Sequence, residues 1–310
     1  MTKHVGDLVT SPWRGIPGWS TPVTGKAGAL TGSVVDRVEA EWYPIIGLEE
    51  RTSQMEVRQA VPQVAISKIA EVTLCFWIMK VLATALGETA GDYISMSLGL
   101  GYYAGLGVTF AMLALVLVPQ IAGTTYRPAL FWAAIIATTT VGTEISDFLD
   151  RSLGLGYLWG SAILLSGLLA SLAIWYAREG SLRVYPIVRR DVELLFWLTV
   201  LLSNSLGTAF GDFLVDVVGL TFLQGALVTA GVIAAVGAAH YFTRLNDVAL
   251  FWTAFIFTRP FGATFGDFLT KPLDHGGLDL PRSYASLLTL ALLAGVLFVS
   301  GNRARPRAIS

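Results

Sequence analysis

Four times along this chain an aromatic pair is followed, at a fixed interval, by a glycine and then by an aspartate. The copies read Phe76-Trp77…Gly87…Gly91-Asp92-Tyr93, Phe131-Trp132…Gly142…Ser146-Asp147-Phe148, Phe196-Trp197…Gly207…Gly211-Asp212-Phe213 and Phe251-Trp252…Gly262…Gly266-Asp267-Phe268. From Trp to the first Gly is ten residues in every copy, and from Trp to Asp fifteen (92 − 77, 147 − 132, 212 − 197, 267 − 252). Self-similarity this strict sets the architecture, because each copy must be one supersecondary unit stacked on its neighbours. Each copy also lies in a long apolar run, so the repeat places four aspartates at one depth of a membrane. That placement is costly and marks a polar site rather than a passive span.

Composition narrows the class. Hydrophobic residues make up 54% of the chain and charged ones 14%, against about a quarter charged in a soluble domain. A net charge of −1 without a basic tract gives no reason to expect nucleic acid. The single cysteine, Cys75, rules out an internal disulfide and a cysteine-cluster metal site, and His4, His240 and His275 are too scattered for a zinc constellation. No apolar stretch in the first seventy residues is framed like a signal peptide, so a mature polytopic protein is expected.

About twenty apolar residues cross a bilayer core, and eight such runs are readable, roughly 69–94, 98–121, 128–149, 155–176, 192–214, 217–240, 247–269 and 283–300. The expected fold is an all-α polytopic membrane protein of eight transmembrane helices, arranged as four parallel helical-hairpin repeats at about 69–122, 127–177, 191–242 and 246–301. Gly99, Gly154 and Gly219 fall seven residues after the aspartate and Gly105, Gly160 and Gly225 thirteen after it; an insertion at 271–281 removes this echo from the fourth copy. Around the membrane domain (67–302), residues 1–66 read as a cytoplasmic, largely disordered arm with a short helix near Val34–Tyr43. Residues 303–310 read as a basic cytoplasmic tail. Loops on the side of the termini carry Arg127, Arg178, Arg183, Arg189, Arg190 and Arg244, with Arg303, Arg305 and Arg307 in the tail; the other side has Arg151, Lys271 and Arg282. Nine against three places both termini in the cytoplasm. The aspartates then lie toward the outer half, roughly 22 Å of helix from the tryptophans, which are expected at the inner interface.

Two spans return the chain to its starting side, so the four copies share one orientation and are related by an axis along the membrane normal. Small residues four apart (87/91, 142/146, 207/211, 262/266) suit close helix packing. Glu88 shares a helical face with Asp92, as Glu144 does with Asp147, and Asp150 and Asp216 extend the acidic lining. Lys80, Thr84, Glu88 and Asp92 form one polar stripe, and the column seven after each tryptophan is Thr84, Thr139, Asn204 and Arg259. Lys80 and Arg259 are expected to pair with acids at that depth. The candidate ion or substrate pathway is therefore Lys80, Thr84, Glu88, Asp92, Glu144, Asp147, Asn204, Asp212, Arg259 and Asp267, with Glu88, Asp92, Glu144 and Asp147 as candidate metal ligands. Oxygen ligands without Cys or clustered His suit Mg²⁺, Ca²⁺ or Mn²⁺. The same carboxylates suit a proton relay, and both readings stay open.

The four Trp-bearing hairpins, with Gly87-Glu-Thr-x-x-Asp92 first, Gly207-Thr-x-x-Gly-Asp212 third and Thr258-Arg-Pro-Phe-Gly-Ala-Thr-Phe-Gly-Asp267 last, resemble a bacterial family of membrane proteins with four tandem two-helix repeats of unknown function, the DUF347 repeat family. The resemblance covers about residues 70–300 and implies membrane location, in a bacterium the inner membrane, and the repeat architecture; it supplies no substrate and no catalytic residues. The expected function, from the residues, is a secondary transporter of an inorganic divalent cation, with proton-coupled export as one mode. The alternatives are a transporter of a small organic or anionic solute and a non-transporting scaffold or sensor. No enzyme is expected, since no nucleophile–base or His-Glu-x-x-His constellation is present. No cofactor is expected beyond a transported metal ion. The partners are the lipid bilayer and a small ion or solute, and the oligomeric state is left open.

Overall fold

A computed structural model describes residues 67–303, with the side chains of His275 and 301–303 excepted. The expected arm at 1–66, its short helix and the tail beyond 303 lie outside the described residues. Among the described residues eight helices are long and apolar enough to cross a membrane: α1 Leu74–Asp92, α2 Gly101–Ala122, α3 Pro128–Asp147, α4 Gly156–Glu179, α5 Arg190–Asp212, α6 Phe222–Phe242, α7 Asp247–Thr270 and α8 Arg282–Arg303. The first begins five residues later than its apolar run. Residues 67–73 instead form a bent, non-helical segment, and Thr73 Oγ1 caps α1 by accepting from Phe76 N. Asn246 caps α7 in the same way, and Pro128 opens α3 where a missing N–H costs nothing.

The odd helices close a ring, α1 on α3, α3 on α5, α5 on α7 and α7 on α1. The motif glycines explain how. A Cβ on Gly87 would stand 2.1 Å from Thr139 Oγ1, one on Gly142 3.0 Å from Asn204, one on Gly207 2.4 Å from Arg259 Cγ, and one on Gly262 2.3 Å from Thr84 Oγ1. Each first glycine thus receives the polar residue seven past the tryptophan of the next copy, and the fourth receives that of the first. The second small residue follows the same rule one turn on, Gly91 meeting Thr143, Gly211 meeting Ala263 and Gly266 meeting Glu88. Backbones approach because nothing larger than hydrogen separates them.

Each even helix packs beside the odd helix of the following copy, α2 on α3, α4 on α5, α6 on α7, with α8 returning to α1. The repeat is a hairpin in sequence, but its two helices diverge, and the outer one covers a neighbour. In their most apolar windows the odd helices are 61–72% buried and the even ones 17–28%, so the even helices form the lipid-facing layer. Gly99, Gly154 and Gly219 take φ of +68°, +67° and +82° in the turns between the helices of copies one to three, a conformation glycine adopts without steric cost. Just before those turns, Leu98 N bonds Tyr93 O, Leu153 N bonds Phe148 O and Val218 N bonds Phe213 O. These five-residue spacings make a widened π turn directly after each motif aspartate, a feature frequent at functional sites. In the fourth copy α7 runs on to Thr270 without one, and the inserted loop follows.

Candidate functional site: an axial column of buried charge

At the end of the ring where the odd helices begin, the aromatic pairs interlock. Phe76 meets Trp132 at 5.5 Å between ring centroids, Phe131 meets Trp197 at 5.6 Å and Phe251 meets Trp77 at 5.6 Å, while Trp175 of α4 stands between Phe196 and Trp252. Trp132, Trp197 and Trp252 are buried. They therefore seal the inside of the bundle instead of resting at the lipid interface as expected from their amphipathic rings; Trp252 spends its N–H on Leu182 O at 2.9 Å. Beside this girdle is a network that sequence reading missed. Lys68 pairs with Glu193 and donates to Ile121 O at 2.8 Å, Gln120 donates to Lys68 O at 3.1 Å, and Trp197 Nε1 reaches Glu193 Oε1 at 3.4 Å. It ties the non-helical segment 67–73 to the ends of α2 and α5. Its only sequence signal was two charged residues beside apolar runs.

One layer further along the axis, Lys80 of α1 crosses to the opposite helix and donates to Asn204 Oδ1 at 3.0 Å, with its ammonium 4.2 Å from the ring centre of Phe255. Asn204 in turn donates to Thr138 Oγ1 at 3.2 Å. The layer above is crossed by Arg259 of α7. Its Nη2 donates to Glu88 Oε2 at 2.8 Å and to Thr143 Oγ1 of the opposite helix at 2.6 Å. The expectation that both cations pair with acids is met by Arg259, whereas Lys80 has an amide and an aromatic face. Thr84 and Thr139 turn their hydroxyls onto the carbonyls of Thr258 and Ala83 in the adjacent odd helices. All these side chains are buried, so the axis is closed at two levels by polar side chains.

The four motif aspartates form the outermost layer, joined in pairs by cations. Lys271 Nζ lies 3.0 Å from Asp92 Oδ2 and 3.0 Å from Asp267 Oδ1, the second an ion contact without hydrogen-bond alignment. Arg151 lies 3.2 Å from Asp147 and 3.4 Å from Asp212. Arg282 adds a contact of 3.4 Å to Asp92. Burial opposes the charge of Lys271, but Asp267 and Asp92 outweigh it and raise its pKa above the ordinary value. The three cations are the sparse set on the loops at the aspartate end, and the sequence carried a signal for two of them: Arg151 and Lys271 each follow a motif aspartate by four residues, one helical turn.

Of the four candidate metal ligands, Glu88 and Asp92 come together, with Asp267 as third member; one oxygen from each lies within 4.8 Å of the others. Asp147 is taken up by Arg151. Glu144 points away toward α2, where a Cβ on Gly105 would stand 2.8 Å from its Oε2, and it is buried with neither oxygen hydrogen-bonded. Asp150 is likewise turned to Gly160, and Asp216 is exposed. A cleft of about 430 Å³ lies elsewhere, between α4, α5 and α7 at Leu158, Leu206, Phe210 and Pro260; its lining is apolar and it opens to lipid, away from the charged column.

The family profile described as Repeat of Unknown Function (DUF347) matches four times, at residues 75–125, 130–181, 195–246 and 250–300. Each match holds one odd helix and the outer helix that follows it. No curated protein and no solved structure matches the chain. With four profile matches laid over four turns of one closed ring, the chain belongs to the DUF347 repeat family of membrane proteins.

Proposed function

We propose that the protein is a secondary transporter of an inorganic divalent cation in a bacterial inner membrane, with both termini cytoplasmic, and that it is not an enzyme. The observation that carries this reading is the buried oxygen cluster of Glu88, Asp92 and Asp267, within 4.8 Å of one another. Hard cations such as Mg²⁺ and Mn²⁺ take carboxylate oxygens. The tethered ammonium of Lys271 stands where such an ion would be balanced, between two of the three carboxylates. A divalent ion reaching the cluster from outside competes with Lys271 for Asp92 and Asp267. Release of Lys271 loosens the outer closure while the aromatic girdle still seals the inside, which is the sequence of events alternating access needs. Two polar bridges across the axis argue for a carrier over an open pore. In a proton-coupled export cycle the vacated carboxylates take up protons. The Lys/Arg asymmetry of nine to three supports the orientation.

The test is calorimetric titration of the purified protein with Mn²⁺, Mg²⁺ and Ca²⁺, with uptake into proteoliposomes alongside. Glu88→Gln, Asp92→Asn and Asp267→Asn should each weaken binding and slow transport. If all three leave both quantities at the level of the unmodified protein, the cluster is structural and the reading fails.

A further inference from the structure

The middle of the axial column holds more hydrogen-bond donors than acceptors. A lysine ammonium offers three N–H groups and a guanidinium five. Lys80, with no exposed surface, gives one to Asn204 and otherwise faces the Phe255 ring. Arg259, also without exposed surface, uses Nη2 on Glu88 and Thr143, but its Nε and Nη1 have no hydrogen-bond partner among the described residues. Buried donors are nearly always satisfied, and each exception asks for an explanation such as a missing ion.

Charge gives the same answer independently. A protonated Lys80 and Arg259 together carry two positive charges, and among the described residues Glu88 is the one acid bonded to either. The next acids outward, Asp92 and Asp267, are already held by Lys271. A protonated Lys80 is thus left without a counter-charge in a region where unpaired charge is disfavoured, and a nearby anion is what would hold its proton. The register of the helices sets the separation. Lys80 meets its partner at the level seven past the tryptophan and Arg259 at the level eleven past it, four residues or about 6 Å of helix apart. That spacing lets one small ion accept from both heads.

We propose that Lys80 and Arg259 together bind one small monovalent inorganic anion, of the chloride or bromide kind, at the centre of the bundle. The anion neutralises the layer and accepts from the free Nη1 and Nε edge of Arg259 and from the remaining ammonium protons of Lys80. This site adjoins the carboxylate cluster through the Arg259–Glu88 pair, but its donors do not depend on a metal being carried.

The probe is bromide, titrated into the purified full-length protein at constant ionic strength with gluconate as the balancing anion. Heat of binding and melting temperature are both read. Saturable one-site binding that raises the melting temperature is expected. Lys80→Met removes one head and should raise the half-saturating bromide concentration at least about tenfold, roughly 1.4 kcal/mol. Arg259→Lys keeps the charge but deletes the Nε and Nη1 donors and should weaken binding as well. If Arg259→Lys does not fold, Lys80→Met decides, since it takes a charge out of the interior and leaves the glycine seams intact. Absence of saturable bromide binding in the unmodified protein, or an unchanged midpoint in Lys80→Met, overturns the proposal. Manganese titration of the same samples keeps the two readings apart: loss of bromide binding with metal binding retained speaks only to the anion site.

Discussion

Gly87→Ala puts a single methyl group into the seam between the first and second copies. The new Cβ would stand 2.1 Å from Thr139 Oγ1, 2.4 Å from Thr139 Cβ and 3.0 Å from the Thr139 carbonyl carbon. Thr139 cannot turn away cheaply, because a β-branched side chain in a helix has few rotamers and its hydroxyl is held by Ala83 O and Ile136 O. Overpacking of this kind costs about 1–3 kcal/mol, and contact with both side chain and backbone argues for the upper end, ~3. Against it stands the better helix propensity of alanine, worth up to about 1 kcal/mol. The net loss of ~2 kcal/mol corresponds to a melting temperature lower by roughly 4–8 °C in a domain of this size. Scans in detergent at one fixed rate compare the variants. Gly231→Ala, whose Cβ meets nothing within 4 Å, is the control and should melt roughly 2–4 °C above the unmodified protein. In the double variants, Thr139→Gly should recover more than Thr139→Ala, because the alanine removes Oγ1 but keeps the Cβ that would stand 2.4 Å from the new methyl. Should Gly87→Ala melt at or above the unmodified protein, the cyclic order of copy against copy is wrong.

Glu88→Gln leaves the Arg259 guanidinium buried without a counter-charge; a loss of about 3–5 kcal/mol is expected, visible in thermal scans and partly recovered by adding Arg259→Met. Lys271→Ala removes the tethered competitor from Asp92 and Asp267, so on the cation reading Mn²⁺ affinity rises by about tenfold, or roughly 1.4 kcal/mol; unchanged or weaker affinity would argue that Lys271 does not contest the site. With its pKa raised, Lys271 stays charged beyond the range of a free lysine, so the stability it lends is fully present below about pH 10.4 and lost only as pH rises past the folded value. Melting temperature should therefore show no Lys271-dependent change between pH 6 and 9 when Lys271→Ala and the unmodified protein are compared. In a Cys75→Ser background, a cysteine introduced near Arg189 should resist outside reagents while one near His275 reacts; labelling near Arg189 from outside reverses the assigned orientation.

The fold was legible because its signals are periodic. Tryptophan, glycine and aspartate at fixed intervals announced four equivalent spans, and the glycine pairs announced close packing. Which helix packs beside which was not legible, since hydropathy treats the two members of a hairpin alike; that α2 leaves α1 for α3 depends on side-chain fit at Gly105 and its neighbours. Within the site, the faces that carry Glu88 with Asp92 and Arg259 with Asp267 were read from helical spacing; that Arg259 pairs with Glu88 was not. Their partners Thr143, Thr138 and Phe255 came from opposite or adjacent helices, and no spacing along one chain encodes a contact across the axis. Glu144 misled for a related reason: three residues from Asp147 it shares a broad face, yet that face spans both the axis and the α2 seam.

Because every outer helix covers a neighbour, no single copy can satisfy itself. A lone hairpin would leave its odd helix bare on the flank that the preceding copy should cover, with its own even helix splayed over nothing. Of the eight described helices α1 is made before the others, yet its outer cover, α8, is made after the other seven. Until then the glycine seam of α7 also lacks Thr84 and Glu88 beside it. Assembly therefore ends in a closure, with the last-made hairpin docking on the first, and a chain stopped after three copies would hold two raw edges in the bilayer. The same continuity means that the circle has no structural beginning. Chains opened at another inter-repeat loop, with the native ends joined, contain the same set of seams.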